Sequence, residues 1–129
     1  MTEQSTIELL NNLSGTDLEL VSDKYSSYDA EGKDYIVEIK NRRAYYKDKL
    51  IEASKLFANY NKSQIKGKLF LYVVTDPKGV YIYNINKNIT LIVNQPIRAI
   101  ECPINTDFGN QKKITKISYL LDEGLAIKL

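Results

Sequence analysis

The sequence predicts an α/β fold, a central mixed β-sheet flanked by helices, and three stretches carry that expectation. Lys68 to Thr75 holds an unbroken apolar run, Leu69-Phe70-Leu71-Tyr72-Val73-Val74, as a strand buried on both faces requires. Asp34 to Lys40 alternates, with Tyr35, Val37 and Ile39 on one side, because successive strand side chains point to opposite faces. Between these stretches Tyr46, Leu50, Ala53, Phe57 and Tyr60 recur at three- and four-residue spacing, the period of an amphipathic helix. No repeat, linker or low-complexity segment interrupts the 129 residues. Residues 1-129 therefore read as one domain, long enough to bury an ordinary core.

Taken in order, Thr6 to Leu13 suits a short helix that Ser14-Gly15 ends. Leu18, Leu20 and Val21 suggest a strand from Asp17 to Lys24, continuing after a bend through Tyr25 to Asp29. Gly32-Lys33 can make a two-residue hairpin turn, Gly supplying the positive φ of a type II′ turn. That turn pairs Glu31 with Asp34 and Asp29 with Ile36, leaving Asp29 diagonal to Glu38 on one face. A turn one residue longer would send Asp29 to the other face. The face of Tyr35, Val37 and Ile39 should pack on a helix. Asn41 is placed to cap a helix from Arg42 to Asn61. Asp76-Pro77-Lys78-Gly79 is a turn, and Val80 to Ile85 a returning strand. Ile89 to Val93 and Ile97 to Cys102 read as short strands about Asn94-Gln95-Pro96, followed by a polar loop through Gln111. Lys113 to Leu121 alternates, a strand or a helix, and Leu125, Ile127 and Leu129 alternate again.

Composition removes whole classes of chemistry. With no His and a single Cys, Cys102, the chain has no Ser-His-Asp triad, His-based general base or His-Cys zinc site. Cys102 reads as a core thiol suited to a reducing cytosol. A metal site would be built from oxygen ligands, favouring Mg²⁺ or Mn²⁺. No apolar run is long enough to cross a membrane, and the polar start lacks a secretory signal, so a cytoplasmic location is expected. The Lys-, Asn- and Ile-rich composition fits an AT-rich bacterial, phage or mobile-element genome.

Charge is uneven despite a net +2. Residues 1–34 carry eight acidic side chains against Lys24 and Lys33, whereas residues 40–68 carry nine basic ones against Asp48 and Glu52. An acidic lip beside a basic block can grip a phosphate backbone around a metal; a solvated helix face is the plainer reading of the same block. Within the lip, Asp29, Glu38 and Lys40 bring two carboxylates and an ammonium to one place. A divalent cation and a phosphodiester need that combination. The plainer alternative for Glu38 and Lys40 is an ion pair on an edge strand, which contributes little. Their opposite face, Tyr-x-Val-x-Ile, argues instead for a covered strand.

Asp29, eight residues, then Glu38-Ile39-Lys40 resembles the active-site signature of the PD-(D/E)XK nuclease superfamily. A Glu8-bearing helix, the approach Ser26-Ser27-Tyr28-Asp29 and a long helix after Lys40 extend the likeness to residues 5–75. Tyr28 stands where the signature's name has Pro. The resemblance implies a restriction-endonuclease-like core and a metal-dependent DNA endonuclease, with Asp29, Glu38, Lys40 and Glu8 catalytic. Asp29, Glu38 and the Ile39 carbonyl would bind Mg²⁺ or Mn²⁺, and Lys40 would orient the attacking water. The products would be a 5′-phosphate and a 3′-hydroxyl. Glu19 competes with Glu8 as an additional ligand. Arg42, Arg43 and Lys47 are the expected DNA contacts, and so short a chain invites a homodimer or a larger nucleoprotein complex. Two other classes stay open: a nucleic-acid-binding or assembly protein that keeps the fold without cleaving, and an interaction protein whose Glu-x-Lys is accidental. Tyr45 and Tyr46, or Tyr81 and Tyr83, could stack on bases or simply pack. Gly79-Val80-Tyr81 lacks the second half of a GIY-YIG motif.

Overall fold

A computed structural model describes residues 1–103 and 113–129. The first helix, α1 (Glu3–Ser14), opens on a capping box in which Thr2 accepts from the Ser5 amide and Ser5 accepts from the Thr2 amide. It closes at Gly15, whose φ of 66° is the left-handed value that favours glycine. Asn11 then fastens the exit, donating to the Leu18 carbonyl and accepting from the Leu18 amide. The chain continues through β1 (Glu19–Leu20), β2 (Ala30–Glu31), β3 (Tyr35–Asn41), β4 (Asp48–Glu52), α2 (Ala53–Lys66), β5 (Leu69–Asp76) and β6 (Gly79–Asn84). It ends with α3 (Ile85–Asn94), β7 (Arg98–Pro103), β8 (Lys113–Asp122), a 3-10 turn and β9 (Ile127–Lys128).

The main sheet has the order β1-β2-β3-β5-β6-β9 and is mixed: β3 and β5 run parallel, and the other neighbours antiparallel. Both faces of its centre are covered. Val37, Ile39, Val73, Val80 and Ile82 pack with Ile7 and Leu10 of α1 on one side. Ile36, Phe70, Tyr72, Val74, Tyr81 and Tyr83 pack with Leu56 of α2, Ile85 and Ile92 of α3, and Ile51, Tyr119 and Leu121 on the other. This double cover explains the unbroken apolar run of β5. It also places the Val37–Ile39 face on a helix, as alternation requires. A second, antiparallel sheet has the order β4-β8-β7.

Four expectations are corrected. Residues 42–52 are not helical: β4 alternates in burial, Lys49 and Ile51 inside, because it pairs with β8 some seventy residues later (Leu50 with Leu120). Helix α2 therefore starts at Ala53 and buries Ala53, Leu56, Asn59 and Ser63, leaving Phe57 and Tyr46 largely exposed. Ile89 to Val93 lies in α3, where Ile85, Ile89 and Ile92 share a helical face and the Asn84 side chain caps the Lys87 amide at 3.1 Å. The strand expected over Asp17 to Lys24 is only Glu19–Leu20. The β2–β3 register differs too: Glu31 pairs with Ile36 and Ala30 with Val37. Residues 104–111 of the expected polar loop and the Cys102 side chain lie outside the described residues.

Candidate active site

The β2–β3 connection positions the first carboxylate. Its loop spans residues 32–34, closed by the Gly32 amide donating to the Tyr35 carbonyl at 2.9 Å. Asp17 also accepts from the Lys33 amide at 3.0 Å. The pairing has slipped by two residues from a Gly32-Lys33 turn. Asp29 lies in the bend just before β2, close enough to Glu38 for its charge to act on that carboxyl. The Asp29 amide donates to the Val37 carbonyl at 2.8 Å, and Asp29 Oδ2 accepts from the Ile39 amide at 2.7 Å. Backbone on both sides thus sets the orientation of this carboxylate.

Glu38 faces the α2 side of the sheet and is only 3% exposed. Lys40 Nζ lies 3.5 Å from Glu38 Oε1, with its own side chain 39% exposed. Burial and then the neighbouring Asp29 charge push the Glu38 carboxyl up, while Lys40 and Lys55 oppose the shift.

On α1, Glu3 lies within the influence of Asp29 and Lys40. Burial and the Asp29 charge raise its carboxyl, and Lys40 lowers it. Glu8 is exposed and accepts from Gln4 at 3.2 Å. Five residues along a helix turn the side chain by about 140°, so Glu8 cannot share the Glu3 direction. Glu3, Ile7 and Leu10 follow the helical period, a signal in the sequence that favours Glu3 over Glu8. Glu19 is exposed and pairs with Glu31 rather than with Asp29.

Glu38 and Lys40 open on a cavity of about 780 Å³ floored by Tyr72 and Val74. Arg42, Lys47, Lys55 and Lys116 contribute positive charge to its wall. Lys116 is bridged to Glu52 at 2.8 Å. Lys49 also lines the cavity, but its ammonium is buried against Asp76 at 2.9 Å. Of the expected DNA contacts, Arg42 and Lys47 face this cavity, and Arg43 lines a smaller neighbouring one with Asn41 and Thr75. Lys55 belongs to the basic block of residues 40–68, though not to the three contacts expected by name, and Lys116 arrives on a strand distant along the chain.

The donors present suit Mg²⁺ or Mn²⁺ better than a softer metal. Asp29 and Glu38 are hard oxygen ligands, and Mg²⁺ commonly takes one or two carboxylates and keeps several waters. Among the described residues no group of three acidic, His or Cys side chains is arranged to hold a metal. Any cation here would depend on the carboxylate pair, backbone oxygen and water.

A mixed sheet with a parallel β3–β5 pair and helices on both faces is the architecture of a restriction-endonuclease-like fold. The structure is similar to that of Hjc, a Holliday junction resolvase from the archaeal hyperthermophile Archaeoglobus fulgidus. The match covers 98% of this chain and 89% of that one, with a TM-score of 0.57 and 12% sequence identity. At that identity the likeness is one of fold. No protein-family model and no curated protein matches the chain.

Proposed function

We propose that residues 1-129 form one metal-dependent DNA endonuclease domain acting inside the cell. The observation that carries this reading is that Glu38 and Lys40 of β3 open on a cationic cavity, with Asp29 held against the same strand by the Ile39 amide. Asp29 and Glu38, with the Ile39 carbonyl, would hold Mg²⁺ or Mn²⁺. Such an ion supplies Lewis-acid polarisation of the phosphate and a water acidic enough to attack at neutral pH. Asp29 is oriented for its task by the Ile39 amide. Glu38, buried beside Lys40 and within the influence of Lys55, gains from any added positive charge. Lys40 is the catalytic cation: its ammonium can donate to a phosphate oxygen or to the attacking water and stabilise developing negative charge. Arg42, Lys47, Lys55 and Lys116 would hold flanking phosphates, and Glu3, rather than Glu8, is the helix carboxylate that adds to the acidic cluster.

The test is incubation with branched and linear DNAs, with and without Mg²⁺ or Mn²⁺. Cleavage that needs the metal, leaves a 5′-phosphate and a 3′-hydroxyl, and disappears in Glu38→Ala is expected. Binding without cleavage of any DNA would replace this reading with a non-catalytic nucleic-acid-binding module.

A further inference from the structure

We propose that Tyr46 is a stacking platform for an unpaired nucleobase at the mouth of the cavity. Its ring is 67% exposed, yet Tyr46 belongs to the cavity that holds Glu38 and Lys40. Among the described residues neither its ring nor its hydroxyl has a hydrogen-bonding, ionic or aromatic partner. An unengaged tyrosine is ordinary on a surface. Here, however, the backbone that presents it is held from three directions.

The Tyr46 carbonyl accepts a hydrogen bond from Lys49, whose ammonium is buried and paired with Asp76. The preceding Tyr45 turns inward. Its hydroxyl donates to Glu123 at 2.8 Å, and the ammonium groups of Lys49 and Lys78 lie 4.4 and 3.7 Å from its ring centre. Upstream, the Arg42 amide donates to the Thr75 carbonyl at 2.7 Å. The segment between β3 and β4 is therefore tied to β4, to the β5–β6 turn and to the chain after β8. Tyr46 is offered outward from an ordered base, so stacking would order little besides its own side chain.

Arg42 and Lys47 flank the ring in sequence and line the same cavity, with Lys55 and Lys116 also in its wall. A π-face among cations that can track phosphates is the pairing that recognises single-stranded nucleic acid without base specificity. A duplex keeps its base faces stacked on one another and cannot offer one to Tyr46. Flaps, gaps and single-stranded ends can. A junction whose arms are fully paired gains nothing from this contact, so the subsite should rank DNAs by unpaired bases rather than by branching alone. Tyr25 is more exposed, at 83%, but is accompanied by Lys24 at 5.2 Å from its ring centre and lies outside the cavity lining. It serves as the control.

The inference rests on the DNA reading above, and the experiment separates the two. Metal-free wild type, Tyr46→Phe, Tyr46→Ala and Tyr25→Ala would be titrated with a gapped DNA carrying 2-aminopurine in the gap, and with its fully paired counterpart. Wild type and Tyr46→Phe are expected to quench the 2-aminopurine. Tyr46→Ala should lose the quench and bind the gapped DNA roughly tenfold more weakly, the effect expected of one stacked base. Paired DNA should bind within about twofold of wild type, and Tyr25→Ala should match wild type on both. Equal weakening on paired and gapped DNA, or no change on either, overturns the stacking site and leaves the nuclease reading standing. Wild type that binds neither DNA at low salt overturns both.

Discussion

Lys40 separates a nuclease from a protein that only binds. Its side chain is 39% exposed, so Lys40→Ala should fold as wild type does and retain DNA binding. Cleavage should fall by roughly 10²–10³, the effect of removing one electrostatic stabiliser from a transition state; equal cleavage by both proteins would locate the active site elsewhere. Glu38 is a different case, since burial and Asp29 hold its carboxyl above the ordinary value. The folded state keeps this proton to higher pH than the unfolded chain does, so the group costs stability as pH rises through its folded value. Glu38→Gln should therefore melt higher than wild type at neutral pH without metal, and the gap should close at low pH. Calorimetry with Mg²⁺ or Mn²⁺ should then find binding in wild type and none in Glu38→Gln. A variant that melts lower, or binds metal normally, contradicts the assignment of this carboxylate.

Elements are joined in this fold by buried or shielded polar contacts as much as by apolar packing. Asn59, fully buried on α2, accepts from the Ser27 hydroxyl at 2.6 Å and donates to the Ser27 carbonyl at 3.0 Å, docking the approach to Asp29 on that helix. Glu31 of β2 is held by Lys68, Tyr28 and Lys66, which bring its carboxyl down to about 2. That stabilisation is present above the unfolded value of 4.5 and is lost as pH falls toward 2. Thermal melts should show Glu31→Gln less stable than wild type at pH 7 by about 1 kcal/mol, the partly exposed pairs limiting the effect, and indistinguishable near pH 2. The Lys49–Asp76 pair ties β4 to the end of β5 with side chains 3% and 1% exposed. Lys49→Met leaves the buried Asp76 carboxylate with backbone donors but no counter-ion and should destabilise by about 3–5 kcal/mol. Adding Asp76→Asn should recover much of that loss in denaturant titrations; failure to recover would mean that the pair mattered for packing rather than charge.

On the scale of the whole molecule, Lys40, Arg42, Lys47, Lys49, Lys55 and Lys116 line one cavity although the net charge is only +2. DNA affinity should fall steeply with salt, by a logarithmic slope of about 0.9 per phosphate neutralised. Replacing Arg42, Arg43 and Lys47 together by Gln should weaken binding across sequences and flatten that slope. Affinity indifferent to salt would place DNA on another surface, or remove it as a ligand.

What the sequence determined by itself is what depends on neighbours along the chain. Alternation of Tyr35, Val37 and Ile39 defined the faces of β3; the apolar run defined β5; Gly15 ended α1. Asp29 stays near Glu38 despite the two-residue shift in the turn, although it lies in the bend before β2 and not on the strand itself. Tertiary structure decided the rest. Leu50 and Ala53 satisfy a helical spacing and equally a strand followed by a helix, and only pairing with Leu120 and Tyr119 of β8 made residues 48–52 a strand. Ile89 and Ile92 are β-branched and read locally as a strand, but the floor they cover is the tyrosine-rich sheet face, which a helix fits. Glu3 gained its place from the docking of α1, Lys55 from α2, and Lys116 from β8 of the second sheet. Strand pairing and helix docking join residues through contacts across the chain, and those contacts leave little periodic trace in the segments they join.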